Sequence, residues 1–153
     1  MSRFHEAIRR GDIKLTERLL RGGFLRRPAD VNQQDRQTGE TPLGIAADRG
    51  HRDLANLLLA RGANVDAADR SGDRPLGIAI EGGHSDLAKL LVEKGASVGA
   101  TNRQRQTPLH LAVGRGLVEL ARLLIKKGAS TAIGGKHGNP ALHYALVATS
   151  GSR

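Results

Sequence analysis

Six histidines and one glycine-lysine pair are the residues of this chain whose types could do chemistry. The histidines are His5, His51, His84, His110, His137 and His143. Imidazoles can gather a metal, but only when several ligand atoms converge to about 2.0–2.2 Å of one point. Here His5, His110 and His143 recur at one position of a repeating pattern, and His51 and His84 at another. Stacked repeats hold such residues roughly a helix-packing distance apart, about 8–10 Å. That recurrence predicts a polar ring tying adjacent turns or helix starts together, with His137 in a turn. Gly134-Gly135-Lys136 matches a phosphate loop in outline only. The glycine needed five residues earlier is Ser130, and His137 stands where Ser or Thr must follow the lysine. The chain has no Cys, which excludes thiolate chemistry, disulfides and Cys-ligated zinc. No Ser–His–Asp or paired-carboxylate arrangement stands out. From these residues no cofactor and no metal are expected.

The elements behind these residues are set by a period. Thr41-Pro42-Leu43-Gly44-Ile45-Ala46, Arg74-Pro75-Leu76-Gly77-Ile78-Ala79 and Thr107-Pro108-Leu109-His110-Leu111-Ala112 start 33 residues apart, and Pro140 to Ala145 is a degraded fourth copy. Gly50, Gly83 and Gly116 move in step, as do Gly62, Gly95 and Gly128. An earlier copy at Phe4-His5-Glu6-Ala7, Leu19-Leu20 and Gly23 sits 39 before its counterparts. Five of the six extra residues are assigned to Phe24–Pro28 and the sixth to the turn 35–39. Self-similarity at this spacing marks stacked supersecondary units, so the 20 glycines read as punctuation rather than disorder.

Each unit reads as a turn and two short helices. Thr41 and Thr107 suit helix N-caps, and Pro42, Pro75 and Pro108 suit the first helical position, where no N–H is needed. Second helices open with Asp53, Asp86 or Glu119 and close with Arg61, Lys94 or Lys127, which complements the helix dipole. Leu54, Leu57 and Leu58, with their counterparts at Leu87, Leu90, Leu91 and Leu120, Leu123, Leu124, form an apolar stripe at helical spacing. Gly62, Gly95 and Gly128, with Gly23 as the counterpart in the first unit, recur in register, and the first three are expected at left-handed helix C-caps.

This pattern resembles the ankyrin repeat, with its T-P-L-H-x-A signature, from about Phe4 to Val147. The resemblance implies an all-α ankyrin-repeat solenoid of helix-turn-helix units joined by β-turn fingers. The expected organisation is a single domain over 1–153, with repeats at about 1–34, 35–71, 72–104 and 105–137 and a partial repeat at 138–153. The sequence departs from the signature in places. The signature His is Gly44 and Gly77, the capping Thr is Arg74 and Pro140, and the turn glycine is Arg105. These changes are expected to weaken local turns and caps without changing the fold.

The resemblance also implies a non-enzymatic protein-interaction module that binds through a concave face of turn tips and first helices. Carried over position by position, the tip residues are Arg36, Glu40, Arg70, Asp73, Arg103, Arg105, Gln106 and Lys136, and the first-helix residues are Arg9, Arg10, Asp48, Arg49, Glu81 and Arg115. The net charge of +9 is uneven: residues 1–36 carry +4, residues 37–99 carry −2, and residues 100–153 carry +7. Arginines on this face would pair with carboxylate or phosphate, so the expected partner is another protein with an acidic surface. Nucleic acid or another polyanion bound through the basic C-terminal third is the alternative, opposed by the scarcity of aromatic residues. A structural spacer in a larger assembly is the other. No segment approaches the roughly 20 apolar residues of a membrane span, and the reading is a soluble, cytoplasmic chain. A monomer is expected, with self-association open through the partial repeat at Leu146 and Val147. Phe24 is the residue to watch in the insertion.

Overall fold

A computed structural model describes residues 2–23 and 27–131. The expectations for Phe24, Lys136, His137, His143, Leu146, Val147 and the partial repeat therefore lie outside the described residues. Eight helices are present among those described: α1 (Arg3–Arg9), α2 (Ile13–Arg21), α3 (Pro42–Arg49), α4 (Arg52–Ala60), α5 (Pro75–Glu81), α6 (Ser85–Glu93), α7 (Pro108–Gly114) and α8 (Val118–Lys126). They pair as α1–α2, α3–α4, α5–α6 and α7–α8, and the pairs stack in one direction. First helices pack on first helices and second helices on second helices. The result is an all-helical solenoid built from the expected units.

Local chemistry explains where each helix starts. The Thr41 hydroxyl accepts from the Gly44 amide at 3.0 Å, and Pro42, Pro75 and Pro108 sit in the first turns of their helices. At α7 the cap is reciprocal: Thr107 Oγ1 accepts from the His110 amide, and His110 Nδ1 accepts from the Thr107 amide at 3.1 Å. Arg74 has no cap of this kind. Its guanidinium instead donates to the Asp66 carbonyl at 3.1 Å, so the lost cap is replaced by a tie to the preceding loop. Gly62, Gly95 and Gly128 are left-handed as expected, but at the end of α2 that role falls to Gly22 (φ +70), not Gly23.

The core lies between repeats. Ala46, Ala79 and Ala112 are fully buried along the first-helix stack, and Leu58, Leu91 and Leu124 along the second. Small residues in the first row let the short helices approach closely, while the leucines fill the space behind them. A single helix pair would leave this stripe in water, so each unit depends on its neighbours.

Polar ladders cross the same junctions. His51 Nε2 lies 3.4 Å from the Arg9 carbonyl, and His84 Nε2 donates to the Asp48 carbonyl at 3.0 Å. This is the structural ring expected from the histidine recurrence. Gly82, which breaks the arginine row at 10, 49 and 115, lies against this ring. A Cβ at Gly82 would lie 2.6 Å from Cδ2 of His84. At the opposite end of the units, the Asn32 side chain accepts from the Asn64 amide at 2.7 Å, and Asp66 accepts from the Ser97 amide at 2.9 Å.

Gly82→Ala is expected to displace the His84 ring and lower stability by about 1 kcal/mol, the order of one hydrogen bond. In a His84→Ala background the same change should be neutral or stabilising, because only the gain from restricting the unfolded chain remains. Urea unfolding of the four chains checks this; an equal loss in both backgrounds would contradict the ring contact.

Candidate interaction surface

Three fingers project from the stack ahead of α3, α5 and α7. Each is closed by an acid or amide at its base. In the first, Asp35 accepts from the Gln37 and Thr38 amides at 2.8 and 3.1 Å, and its own amide donates to the Glu40 carbonyl at 2.9 Å. Asp69 accepts from the Asp73 amide at 2.9 Å, and Asn102 accepts from the Gln106 amide at 2.9 Å. The backbone closes over the same residues, from the Asp69 amide to the Asp73 carbonyl and from the Asn102 amide to the Gln106 carbonyl. The first finger is one residue longer, as the sequence register required.

The residue before each finger's return is left-handed: Gly39 at φ +76, Gly72 at φ +81 and Arg105 at φ +60. For an arginine this conformation costs on the order of 1–2 kcal/mol. The Arg105 backbone N–H donates a hydrogen bond to the Asn102 carbonyl at 3.0 Å. The weakened turn expected at this position is thus a strained turn of the same shape.

Arginines link one finger to the next. Arg70 donates to the Arg36 and Gln37 carbonyls, both at 3.2 Å, and Arg103 donates to the Arg70 carbonyl at 2.6 Å. All four finger arginines, Arg36, Arg70, Arg103 and Arg105, are exposed. None forms a salt bridge among the described residues.

The other expected positions divide sharply. Arg9 and Glu40 form an ion pair at 2.5 Å that joins α1 to the first finger. Both are partly covered, so they belong to the junction more than to a free surface. This contact shows that the end of a first helix adjoins the base of the next finger. By register, the next junction has Asp48 and Asp73 at these positions, and the one after has Glu81 and Gln106. The ion pair is therefore not repeated. Asp48 lies 3.5 Å from its neighbour Arg49, and Arg10 pairs with Glu6 within its own helix at 2.6 Å. Glu81 and Arg115 are exposed at the ends of their helices. Asp73, Glu81, Gly77 and Gln106 line one cleft of about 20 Å³ between the third and fourth repeats, space for about one water. Arg74 and Gly77, which stand where the signature has Thr and His, are among its lining residues.

The histidines hold no metal arrangement among the described residues. His5 is buried and donates from Nε2 to the Gln33 carbonyl at 2.7 Å, while Nδ1 sits 2.5 Å from the Ser2 hydroxyl. Both ring nitrogens are committed. Sequence reasoning missed two features here. It did not identify the Asp35, Asp69 and Asn102 clasps, although their recurrence at finger bases was the available signal. It also placed Arg9, Glu40, Arg70 and Arg103 on the partner-binding face without their contacts inside the chain, because register gives a position and not what a long side chain reaches.

The comparisons with known proteins agree with this architecture. The family model described as "Ankyrin repeats (3 copies)" matches residues 4–102, and "Ankyrin repeats (many copies)" matches residues 91–145. The chain is 38% identical over 69 residues to protein phosphatase 1 regulatory subunit 27 of Mus musculus, covering 45% of this chain and 41% of that protein. The Homo sapiens counterpart is 35% identical over the same length and shares. Alpha-latrotoxin-Lt1a of Latrodectus tredecimguttatus is 36% identical over 64 residues, 42% of this chain and 4% of the toxin. The chain thus matches less than half the length of these relatives. No described helix is long and apolar enough to cross a membrane.

The clasps have a pH signature. The hydrogen bond donated by the Thr38 backbone N–H, aided by that from Gln37 and opposed by burial, holds the Asp35 carboxyl below its ordinary value of 3.8. A depressed folded pKa gives stability that is complete above the unfolded value and is lost as pH falls through the folded one. Thermal melts should therefore drop as pH is lowered below about 4, and Asp35→Asn should flatten that drop. Asp73 has the opposite sign: burial, then the nearby Asp69 charge, raise its pKa against the pull of Arg103. Asp73→Asn should accordingly be neutral or slightly stabilising at pH 7. An acid limb unchanged by Asp35→Asn would remove the assignment.

Proposed function

The chain belongs to the ankyrin repeat family, and from that premise we propose that it is a non-enzymatic protein-interaction module whose partner docks across the fingers and first-helix ends. The observation that carries this reading is the division of α3, α5 and α7. Their interior positions from Leu43 to Ala47, at Leu76, Ala79 and Ile80, and at Leu109 and Ala112 are buried, while charged or glycine residues at their C-terminal ends are exposed. The exposed ends lie beside finger bases that clasps have already ordered. A partner meeting this face therefore finds a surface whose backbone costs little further entropy to fix.

The partner is proposed to be a protein with an acidic surface. Arg49 and Arg115 are exposed on the helix-end row and Arg36 and Arg105 on the fingers. Their guanidinium groups suit carboxylates bidentately. Asp48, Asp73 and Glu81 interrupt the row, so the face is basic along its finger edge and acidic along part of its floor. Regulatory subunit 27 of protein phosphatase 1 carries a regulatory role in its name, which supports partner binding as the activity without identifying the partner. The proposed working compartment is the cytoplasm.

The test is a pull-down comparing the native chain with an Arg49→Glu/Arg115→Glu chain. The charge-reversed chain is expected to retain its melting temperature and lose the partner at least tenfold, since reversed charges at a complementary interface cost more than a single lost pair. Unchanged recovery of the same partner would reject the face.

A further inference from the structure

We propose that the fingers form a linear anion-binding ridge that reads an extended protein segment bearing an acidic side chain at every third residue. The inference rests on the proposed use of the finger face and adds what that edge recognises. Arg36, Arg70 and Arg103 stand at successive finger tips. The last two are pinned by donation to the carbonyls of the finger before them, Arg70 to Arg36 and Gln37, Arg103 to Arg70. A pinned guanidinium has already lost much of its rotamer freedom, and its fork keeps further N–H groups for a ligand. The ridge is preorganised in the sense that lowers the cost of binding.

Arg105 supplies the second line of argument. It occupies the left-handed position that glycine fills in both other fingers, and its side chain is exposed without a salt bridge among the described residues. A non-glycine residue kept in that conformation is an observed outlier of the kind that clusters at ligand-binding positions. Glycine would relieve the strain; arginine adds a fourth cation at the end of the ridge. The same clasp that ties Asn102 to Gln106 closes the backbone that carries this cation.

Spacing selects the ligand. Stacked first helices are about 8–10 Å apart, so finger arginines advance by about that distance per repeat. A polyproline-II segment returns to the same face every three residues, with a rise of about 9 Å. Because Arg70 and Arg103 each reach back to the finger before, carboxylates at i, i+3 and i+6 would meet Arg70 beside Arg36 at the first finger, Arg103 at the second and Arg105 at the third. A nucleic-acid strand is less well served. Phe4 is the only Phe, Tyr or Trp among the described residues and is buried, so these fingers offer no aromatic stacking platform.

The test is fluorescence anisotropy with two labelled peptides of one composition, Glu-Pro-Pro repeated three times and three contiguous glutamates followed by six prolines. The spaced peptide is expected to bind the native chain about fivefold more tightly, the order of one or two additional surface ion pairs. Arg105→Gly should raise the melting temperature by about 2–4 °C while weakening the spaced peptide. Arg36→Gln should weaken it without changing the melt. Equal affinity for the two peptides would overturn the proposal, as would stability gained at Arg105→Gly with no loss of binding. An oligothymidine of ten nucleotides that binds more tightly than the spaced peptide would also overturn it in favour of a general polyanion surface. These outcomes concern the finger ridge alone; the Arg49/Arg115 pull-down reports on the wider face independently.

Discussion

No helix pair in this chain can bury its own apolar stripe. Everything else follows from that constraint. Ala46, Ala79 and Ala112 in one row and Leu58, Leu91 and Leu124 in the other are solvent-free only because a neighbouring repeat covers them. Stability is therefore a nearest-neighbour property, and the polar groups at each junction must find partners across it. The histidine ring, the Asn32 and Asp66 side chains and the finger arginines are successive solutions to that problem. Each places a side-chain donor or acceptor from one repeat on the backbone of an adjacent one.

This constraint also settles what the sequence could reveal. The fold was legible because a stacked repeat writes its packing rules again every 33 residues. Prolines 42, 75 and 108, the capping threonines and the paired leucines recur because each junction is the same physical problem. The six-residue offset of the first unit was legible for the same reason, as was the structural role of His51 and His84. Exceptions arose where a residue acts outside its own repeat position. At the end of α2 the positive φ falls at Gly22, one residue before the register position at Gly23. Arg74 compensates for its missing hydroxyl by reaching Asp66, which no capping rule would predict.

The candidate face was legible as positions but not as chemistry. Register placed Arg9, Glu40, Arg70 and Arg103 on the exposed edge. It could not show that Arg9 pairs with Glu40 or that Arg70 and Arg103 reach back to the preceding finger. Long side chains span the distance between repeats, so their partners depend on the neighbouring unit's backbone path. The acidic floor at Asp48, Asp73 and Glu81 follows from the same comparison: the first junction carries an opposite-charge pair, and the later ones do not. A surface that is ordered by its own ladders and varied in charge from repeat to repeat is suited to selective recognition, since discrimination comes from unlike contacts on a common frame.

The central claim is that a partner docks on the fingers and first-helix ends while the second helices face away. Hydrogen exchange of the chain with and without its recovered partner tests it most directly. The account predicts slowed exchange at the finger amides around residues 36–39, 70–73 and 103–106 and at the helix ends near Gly50, Gly83 and Gly116, with α4, α6 and α8 unaffected. Protection confined to α4, α6 and α8, with the fingers exchanging as in the free chain, would contradict it.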